Sequence, residues 1–327
     1  MEVQLYGEQI LATVIFIHGI SNMPEPSVLQ SLWENALAVE KTNNPGIEIG
    51  AYGANVELVY WSDVLYGEFA KSKSGAENAT IALEMSNAVR GESPSLENVS
   101  MDWAENVTKK LDIDFQDFAS FPPTPFDDIE NDIISAAVAE AIPLPWPLKK
   151  PLMRAFVRDA HHYLFNVEHS PRAGVSYHVR KELRERFVSK VIEAKKEGPV
   201  IVVAHSLGTV IAYDCLKNVD ECPQVQSLIT IGSPLGMSEM QDQLGPGYTL
   251  EDGYAHEKIV KDWYNIYDPL DIVSRADPAL RNDYLDSGKQ RVTDVRQNNG
   301  GVWTHGMLKY AAQAELREVL RNELRKL

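Results

Sequence analysis

The chain has little cysteine and comparatively little positive charge, and each scarcity excludes a class of protein. Its 327 residues include two cysteines, Cys215 and Cys222, which are too few for a disulfide framework and favour a reducing compartment. Lysine and arginine number 31 against 47 acidic residues, for a net charge of -16. Because phosphate binding needs a basic patch, this balance argues against a nucleic-acid partner. It leaves small-molecule and lipid esters open as substrates.

Basic residues are also missing from the start of the chain, where no lysine or arginine precedes Lys41. The apolar run over residues 10–17 would otherwise suggest a signal peptide, which needs a basic segment before it. We therefore expect this run to be a core strand, and we expect the protein to be cytoplasmic.

Metal-binding spacings are absent as well, since the sequence contains neither HExxH nor CxxC. His161 and His162 are not expected to bind one ion together, because neighbouring residues of a regular helix point in different directions. We predict no metal and no cofactor.

What the sequence does contain is a strand, a sharp turn and a helix centred on Ser206. A β-branched run over 200–203 ends at Ala204-His205-Ser206-Leu207-Gly208, and an apolar segment of helical length follows. This is close to the GxSxG pattern of a nucleophile elbow, with Ala204 in place of the first glycine. In such an elbow the serine lies on a strained turn beside a free backbone N–H. The alternative is that Ser206 is an ordinary helix N-cap.

Ser206, an aspartate and His305 occur in the chain order Ser, Asp, His, each in a turn after a strand-like segment. A serine hydroxyl needs a histidine as general base, and that histidine needs a carboxylate to fix its tautomer. The acid is Asp271 or Asp268. We favour Asp271, because Asp268 directly precedes Pro269 and suits turn capping. The alternative is that the histidine and the aspartate are ordinary loop residues.

A second oxyanion donor is expected near the N-terminal strand, which runs directly into His18-Gly19. In hydrolases with an elbow, a loop of this kind supplies one backbone N–H, and the residue after the nucleophile supplies the other. We assign these two N–H groups to Ile20 and Leu207. The ring of His18 is expected to brace the loop.

Between residues 62 and 165 the pattern loosens, and two proline clusters flank an apolar segment. Helical spacing predicts a helix over 127–142 on the positions Ile129, Ile133, Ile134, Ala137, Val138, Ala141 and Ile142. We interpret 62–165 as a helical cap inserted into a catalytic core of residues 1–61 and 166–327. The cap is either a lid, whose apolar face forms an acyl pocket and touches membrane surfaces transiently, or a structural subdomain that does not move.

The remaining pattern predicts strands that alternate with helices, and hence a mostly parallel sheet flanked by helices. Strands are expected near 11–17, 56–61, 225–234, 262–267 and 291–295, and helices near 27–39, 156–165 and 308–320. A further amphipathic helix is predicted from apolar residues at every fourth position, namely Val175, Val179, Leu183, Phe187 and Val191. The hydrophobic content of 44% supplies a full core for one large domain with an insertion.

The chain resembles the bacterial lipase-like serine hydrolases of the α/β-hydrolase superfamily in the segments IFIHGI, AHSLGTVIAYD, LITIGSPLG, WYNIYDPLDIVS and THGMLKY. The likeness does not extend to residues 62–165. It implies an α/β-hydrolase fold and cleavage of an ester or thioester through an acyl-enzyme, without a cofactor. We therefore expect a carboxylic-ester hydrolase. The alternatives are an acyltransferase, thioesterase or amidase on the same residues, or a binding or regulatory protein that keeps the fold. The sequence does not indicate an oligomeric state.

Overall fold

A computed structural model describes residues 11–67, 95–120, 146–300 and 303–327. The predicted helix over 127–142, with Ile133 and Ile134, lies outside these residues.

The described ranges contain a central sheet of six parallel strands. The strands, in chain order, are β1 Ala12–Ile17, β2 Ala54–Val59, β3 Glu168–Arg172, β4 Val175–His178, β5 Val200–His205, β6 Ser227–Ile231, β7 Trp263–Tyr267, β8 Leu285–Asp286, β9 Lys289–Gln290 and β10 Val292–Arg296. The central sheet has the order β10-β7-β6-β5-β1-β2, and two hairpins, β3-β4 and β8-β9, stand apart from it. The prediction of a mostly parallel sheet is confirmed.

Helices flank the sheet. They are α1 Pro26–Ala38, α2 Ser62–Tyr66, α3 Met101–Lys110, α4 Phe115–Ala119, α5 Trp146–Leu164, α6 Val179–Glu197, α7 Leu207–Asn218, α8 Ser238–Gln241, α9 Met307–Ala311 and α10 Ala314–Leu324. Across the ranges that the structure describes, no helix has the length and apolar character needed to cross a bilayer. The single helix predicted near 308–320 is two, α9 and α10, separated by Ala312 and Gln313.

The sheet is covered on both faces, which explains why its strands read as unbroken apolar runs. In β1, Ile15 and Ile17 belong to one buried cluster while Val14 and Phe16 belong to the other. The first cluster includes residues of α3, α5, α6 and α7, and the second includes residues of α1, α9 and α10. Strand β5 therefore lies in the interior, with β1 on one side and β6 on the other.

The described part of segment 62–165 packs on this same core. Trp103 of α3, Phe118 of α4 and Phe156 of α5 are buried in the cluster that also holds Val202 of β5. Helix α5 begins at Trp146, within the second proline cluster, and so is longer than the sequence predicts. A proline in the first turn of a helix is tolerated because its missing N–H has no partner there. The role of this segment as a cap stays a prediction.

The helix predicted from Val175 onward begins later. Val175 is the first residue of β4, which pairs with β3 through the register Arg172 to Val175. Gly174 has a φ of 77° in the turn between them, a conformation that glycine adopts without strain. Val175 lies four residues before Val179, so it matched the spacing of the helix although it belongs to the hairpin. The predicted helix was therefore wrong at Val175 and right from Val179.

Candidate active site

Ser206 lies at the turn between β5 and α7, as the elbow pattern predicts. Its φ of 54° and ψ of -127° are unusual for a residue with a side chain, and its N–H donates to the Ile231 carbonyl at 2.9 Å. Gly208 allows this turn to lie against the neighbouring loop, since a Cβ there would be 2.6 Å from the His18 carbonyl oxygen. A strained turn held in this way is typical of functional sites.

The structure brings Ser206, Asp271 and His305 together. Because the strands are parallel, the segments after β5, β7 and β10 meet at one edge of the sheet. Ser206 Oγ is 2.8 Å from His305 Nε2, and His305 Nδ1 is 2.8 Å from both carboxylate oxygens of Asp271. A carboxylate only accepts, so Nδ1 carries the proton and Nε2 is free to accept from the serine hydroxyl.

Asp271 is fully buried and held as an anion. Burial alone raises the pKa of a carboxyl group, but the facing His305 outweighs it, together with hydrogen bonds from the Val273 N–H and the Tyr310 hydroxyl. The pKa of Asp271 is therefore below its ordinary value. A carboxylate that stays charged is able to stabilise a protonated histidine across the contact.

Asp268 instead accepts hydrogen bonds from backbone N–H groups of two loops. Its Oδ1 accepts the Leu270 N–H at 2.8 Å and its Oδ2 accepts the Asn299 N–H at 2.6 Å. The first contact closes the turn that precedes Asp271, and the second ties this turn to the segment that leads to His305. The structure thus places Asp271, and not Asp268, on the histidine.

Two residues beside Asp271 and His305 shape the site in ways that the sequence did not indicate. The Tyr310 hydroxyl donates to Asp271 Oδ2 at 2.8 Å and accepts the Asp268 N–H at 3.0 Å. Gly232, in the turn after β6, has a φ of 54°. A Cβ at Gly232 would lie 2.8 Å from Asp271 Oδ2 and 3.3 Å from His305 Nδ1. The sequence held one signal for these two residues, which is that both lie in segments that resemble the lipase-like hydrolases.

Replacing Gly232 by alanine is expected to lower kcat for ester hydrolysis, the activity that the sequence predicts, by about 10²-fold. Displacements of about 1 Å at a reacting group have effects of that size. The added methyl group would separate Asp271 from His305. The matched control is Gly174→Ala, because Gly174 has a φ of 77° but open space around its Cα. The measurement is kcat of both variants, compared at equal folded fraction. A loss in Gly232→Ala alone indicates steric contact, because both variants place alanine at a positive φ. Equal losses in the two variants would contradict the steric explanation.

The loop after β1 lies directly against Ser206. A Cβ at Gly19 would be 2.6 Å from Ser206 Cβ, so only glycine allows this approach. The His18 ring stacks on Trp61 with centroids 4.5 Å apart, and its Nε2 accepts the Trp61 N–H at 2.9 Å. Its Nδ1 donates to the Gly19 carbonyl at 2.8 Å. Burial lowers the pKa of His18 to about 3, so this neutral ring braces the loop as predicted.

The two predicted oxyanion donors flank this contact. Ile20 and Leu207 are both buried. Within the ranges covered by the structure, neither backbone N–H donates a hydrogen bond to another protein group. Two N–H groups next to the serine turn that have no acceptor among the described residues are available to bind an oxygen that gains negative charge.

Comparisons with known proteins add little to this geometry. No protein-family model matches the chain, and no curated protein matches it. One solved structure that is similar to it is described as the crystal structure of an uncharacterized protein from Pseudomonas aeruginosa, with 9% sequence identity and a TM-score of 0.33. The match covers 96% of this chain and 46% of that one, so the chain spans less than half the length of that protein.

His205 fixes the backbone of the candidate base. Its Nε2 donates to the His305 carbonyl at 2.7 Å, and the two rings lie 5.0 Å apart. Burial lowers the pKa of His205 to about 3, so the ring is neutral. Sequence reasoning gave this residue no function, because the contact joins residues a hundred positions apart.

Residues able to hold a metal lie elsewhere. Among the described residues, Asp252, His256 and Asp286 place three ligand atoms within 4.8 Å of one another. Asp286 also pairs with Arg291 at 3.0 Å. The rings of His161 and His162 lie 6.1 Å apart, and His161 Nε2 accepts the Ser100 N–H at 3.0 Å. Neither group shares a residue with the site around Ser206.

Proposed function

We propose that the protein is a serine hydrolase that cleaves carboxylic esters through an acyl-enzyme intermediate. The observation that carries this proposal is the unbroken chain of contacts from Ser206 Oγ through His305 to Asp271, with both contacts at 2.8 Å. A helix N-cap has no need of a histidine and a buried carboxylate aligned behind its hydroxyl.

In the proposed reaction, Ser206 Oγ attacks the ester carbonyl carbon while His305 Nε2 takes the hydroxyl proton. The carbonyl oxygen becomes an oxyanion, which the N–H groups of Ile20 and Leu207 bind. Each such donor contributes about 2.7–4 kcal/mol to the transition state. His305 then protonates the departing alcohol, which leaves an acyl group on Ser206.

In the second half of the reaction, His305 takes a proton from water, and the resulting hydroxide attacks the acyl carbon. A second oxyanion forms in the same place and collapses to release the carboxylic acid, while the proton returns from His305 to Ser206 Oγ. Asp271 stabilises the histidinium in both halves and is not itself protonated.

An α/β-hydrolase fold is part of this proposal. The serine follows β5, the acid follows β7 and the histidine follows β10, which gives the chain order Ser, Asp, His that this fold uses. The segments that resemble lipase-like hydrolases form these three turns, the turn after β6 and the loop after β1. A small-molecule or lipid ester as substrate is supported by the same resemblance. Membrane contact through the cap concerns residues 127–142, which lie outside the described ranges, and a cytoplasmic location stays a prediction.

Hydrolysis of matched substrates tests the reaction class. The wild-type protein is expected to hydrolyse p-nitrophenyl acetate and octanoate faster than the corresponding thioester and anilide, and to release free acid rather than an ester of an added alcohol. Thioester or anilide cleavage at a higher kcat/KM would assign it to the alternative hydrolases. Ester formation with the added alcohol would identify an acyltransferase. A folded protein without turnover on any of these would favour a binding or regulatory function.

A further inference from the structure

A buried carboxylate from α5 lies behind the loop that carries the candidate oxyanion donor Ile20. Asp159 is fully buried, and its Oδ2 accepts the Ser21 N–H at 3.2 Å. The same oxygen accepts the Tyr66 hydroxyl at 2.8 Å. A side chain of the predicted cap segment therefore contacts the backbone of the residue that follows Ile20.

Asp159 is itself held in place by a neighbouring charge. Arg158 donates to its Oδ1 from Nε at 2.9 Å and from Nη2 at 2.7 Å. The Arg158 guanidinium also lies over the Tyr66 ring, 4.4 Å from its centroid. A buried charge is tolerated when it is paired and its remaining hydrogen bonds are satisfied. The carboxylate is thus fixed on both of its oxygens.

The loop needs such a fixed partner because its conformation is unfavourable. Ser21 has a φ of 84°, in the left-handed region that residues with a side chain rarely adopt. A strained residue of this kind persists only when its surroundings hold it. Asp159 binds the N–H of Ser21, and the Ser62 hydroxyl donates to its carbonyl at 3.3 Å. On the other side of Ile20, His18 is anchored to Trp61.

We infer that Asp159 is a positioning residue for the oxyanion hole. It fixes the peptide between Ile20 and Ser21, while Trp61 fixes His18 at the start of the loop. The Gly19–Ile20 peptide, which carries the Ile20 N–H, is therefore held from both sides. This inference rests on the proposed function and extends it, because it gives residues 62–165 a part in the reaction itself. Through α5, the segment holds one oxyanion donor in place, whether or not another part of it covers the substrate.

The test compares two buried carboxylates of the same chemistry. Asp214, on α7, also accepts a tyrosine hydroxyl, from Tyr163 at 2.5 Å, and is paired with Arg184 at 2.7 Å. Within the described residues it has no hydrogen bond to the loop after β1. Asp214→Asn is therefore the matched control for Asp159→Asn, with melting temperatures measured for both. The substrate is p-nitrophenyl acetate, and an aryl trifluoromethyl ketone serves as the tetrahedral analogue.

Asp159→Asn is expected to lower kcat by about 10–100-fold, as a loosened oxyanion donor should, while KM changes less than about threefold. Affinity for the trifluoromethyl ketone should fall in the same proportion as kcat/KM, and the pH dependence of kcat/KM should not change. Asp214→Asn should retain kcat within about threefold, even at equal loss of melting temperature. An Asp159→Asn variant with wild-type kcat, or equal kcat losses in both variants, would overturn the inference.

Tyr66→Phe decides the question if Asp159→Asn does not fold. This change removes one donor from Asp159 Oδ2 and keeps the ion pair with Arg158. It should lower kcat about two- to tenfold, again with little change in KM. A folded Tyr66→Phe variant with unchanged kcat would then refute the positioning function. Absence of ester turnover by the wild type would overturn the proposed function, and the inference with it.

Discussion

Replacing Ser206 by alanine is expected to abolish ester hydrolysis while the protein stays folded. The change removes the attacking oxygen and leaves His305 and Asp271 in contact. Loss of the nucleophile in a serine hydrolase lowers kcat by a factor on the order of 10⁶. Removal of one hydroxyl from a strained turn should not destabilise the fold. The measurement is kcat for p-nitrophenyl acetate, with folding followed by circular dichroism.

Ser233→Ala is the matched control for this variant. Ser233 is a buried serine in the turn after β6, and its hydroxyl contacts Thr209 Oγ1 at 2.7 Å rather than His305. Its loss should leave kcat within about tenfold. Wild-type turnover by Ser206→Ala would remove Ser206 from the reaction and the hydrolase proposal with it.

Replacing Asp271 by asparagine is expected to lower kcat by about 10⁴-fold. The amide keeps the size of the side chain but is able to donate to His305 Nδ1, which favours the tautomer with the proton on Nε2. His305 then no longer accepts the proton of Ser206. The variant also loses the negative charge that stabilises the histidinium. Measured on the same ester, the effect should fall on kcat and leave KM nearly unchanged.

The parallel variant Asp268→Asn separates the two candidate acids. Asp268 closes a turn and accepts the Asn299 N–H, so its loss should loosen the loops and lower kcat by less than about tenfold. A larger loss in Asp268→Asn than in Asp271→Asn, at equal stability, would transfer the function of the acid to Asp268.

The parts of this site that could be predicted from the sequence are those encoded by contiguous residues. The elbow around Ser206 is a strand, a turn and a helix in one stretch, and small residues show where the backbone approaches closely. Asp271 could be favoured over Asp268 because Pro269 directly follows Asp268, and an aspartate before a proline is typical of a turn. The alternation of strands and helices indicated the parallel sheet, and parallel strands bring the three turns to one edge.

Contacts between distant segments left no comparable signal. Gly232 allows Asp271 and His305 to meet, but a glycine in a turn is common for other reasons. Asp159 and Ser21 are 138 residues apart in the sequence, so no local pattern indicates their contact. In the sequence, the neighbouring Arg158 looks like an ordinary surface residue of a helix. Val175 shows the opposite failure, since its apolar spacing matched a helix while Gly174 favoured a hairpin. Local periodicity does not contain this information.

Labelling with a fluorophosphonate, mapped by mass spectrometry, tests the central claim most directly, because it detects an activated serine without knowledge of the substrate. The folded wild-type protein is predicted to carry one label, on the peptide that contains Ser206, and Ser206→Ala is predicted to carry none. Asp271→Asn should be labelled far more slowly. A folded wild-type protein without a label, or a label on another serine that persists in Ser206→Ala, would contradict the assignment of Ser206 as the nucleophile.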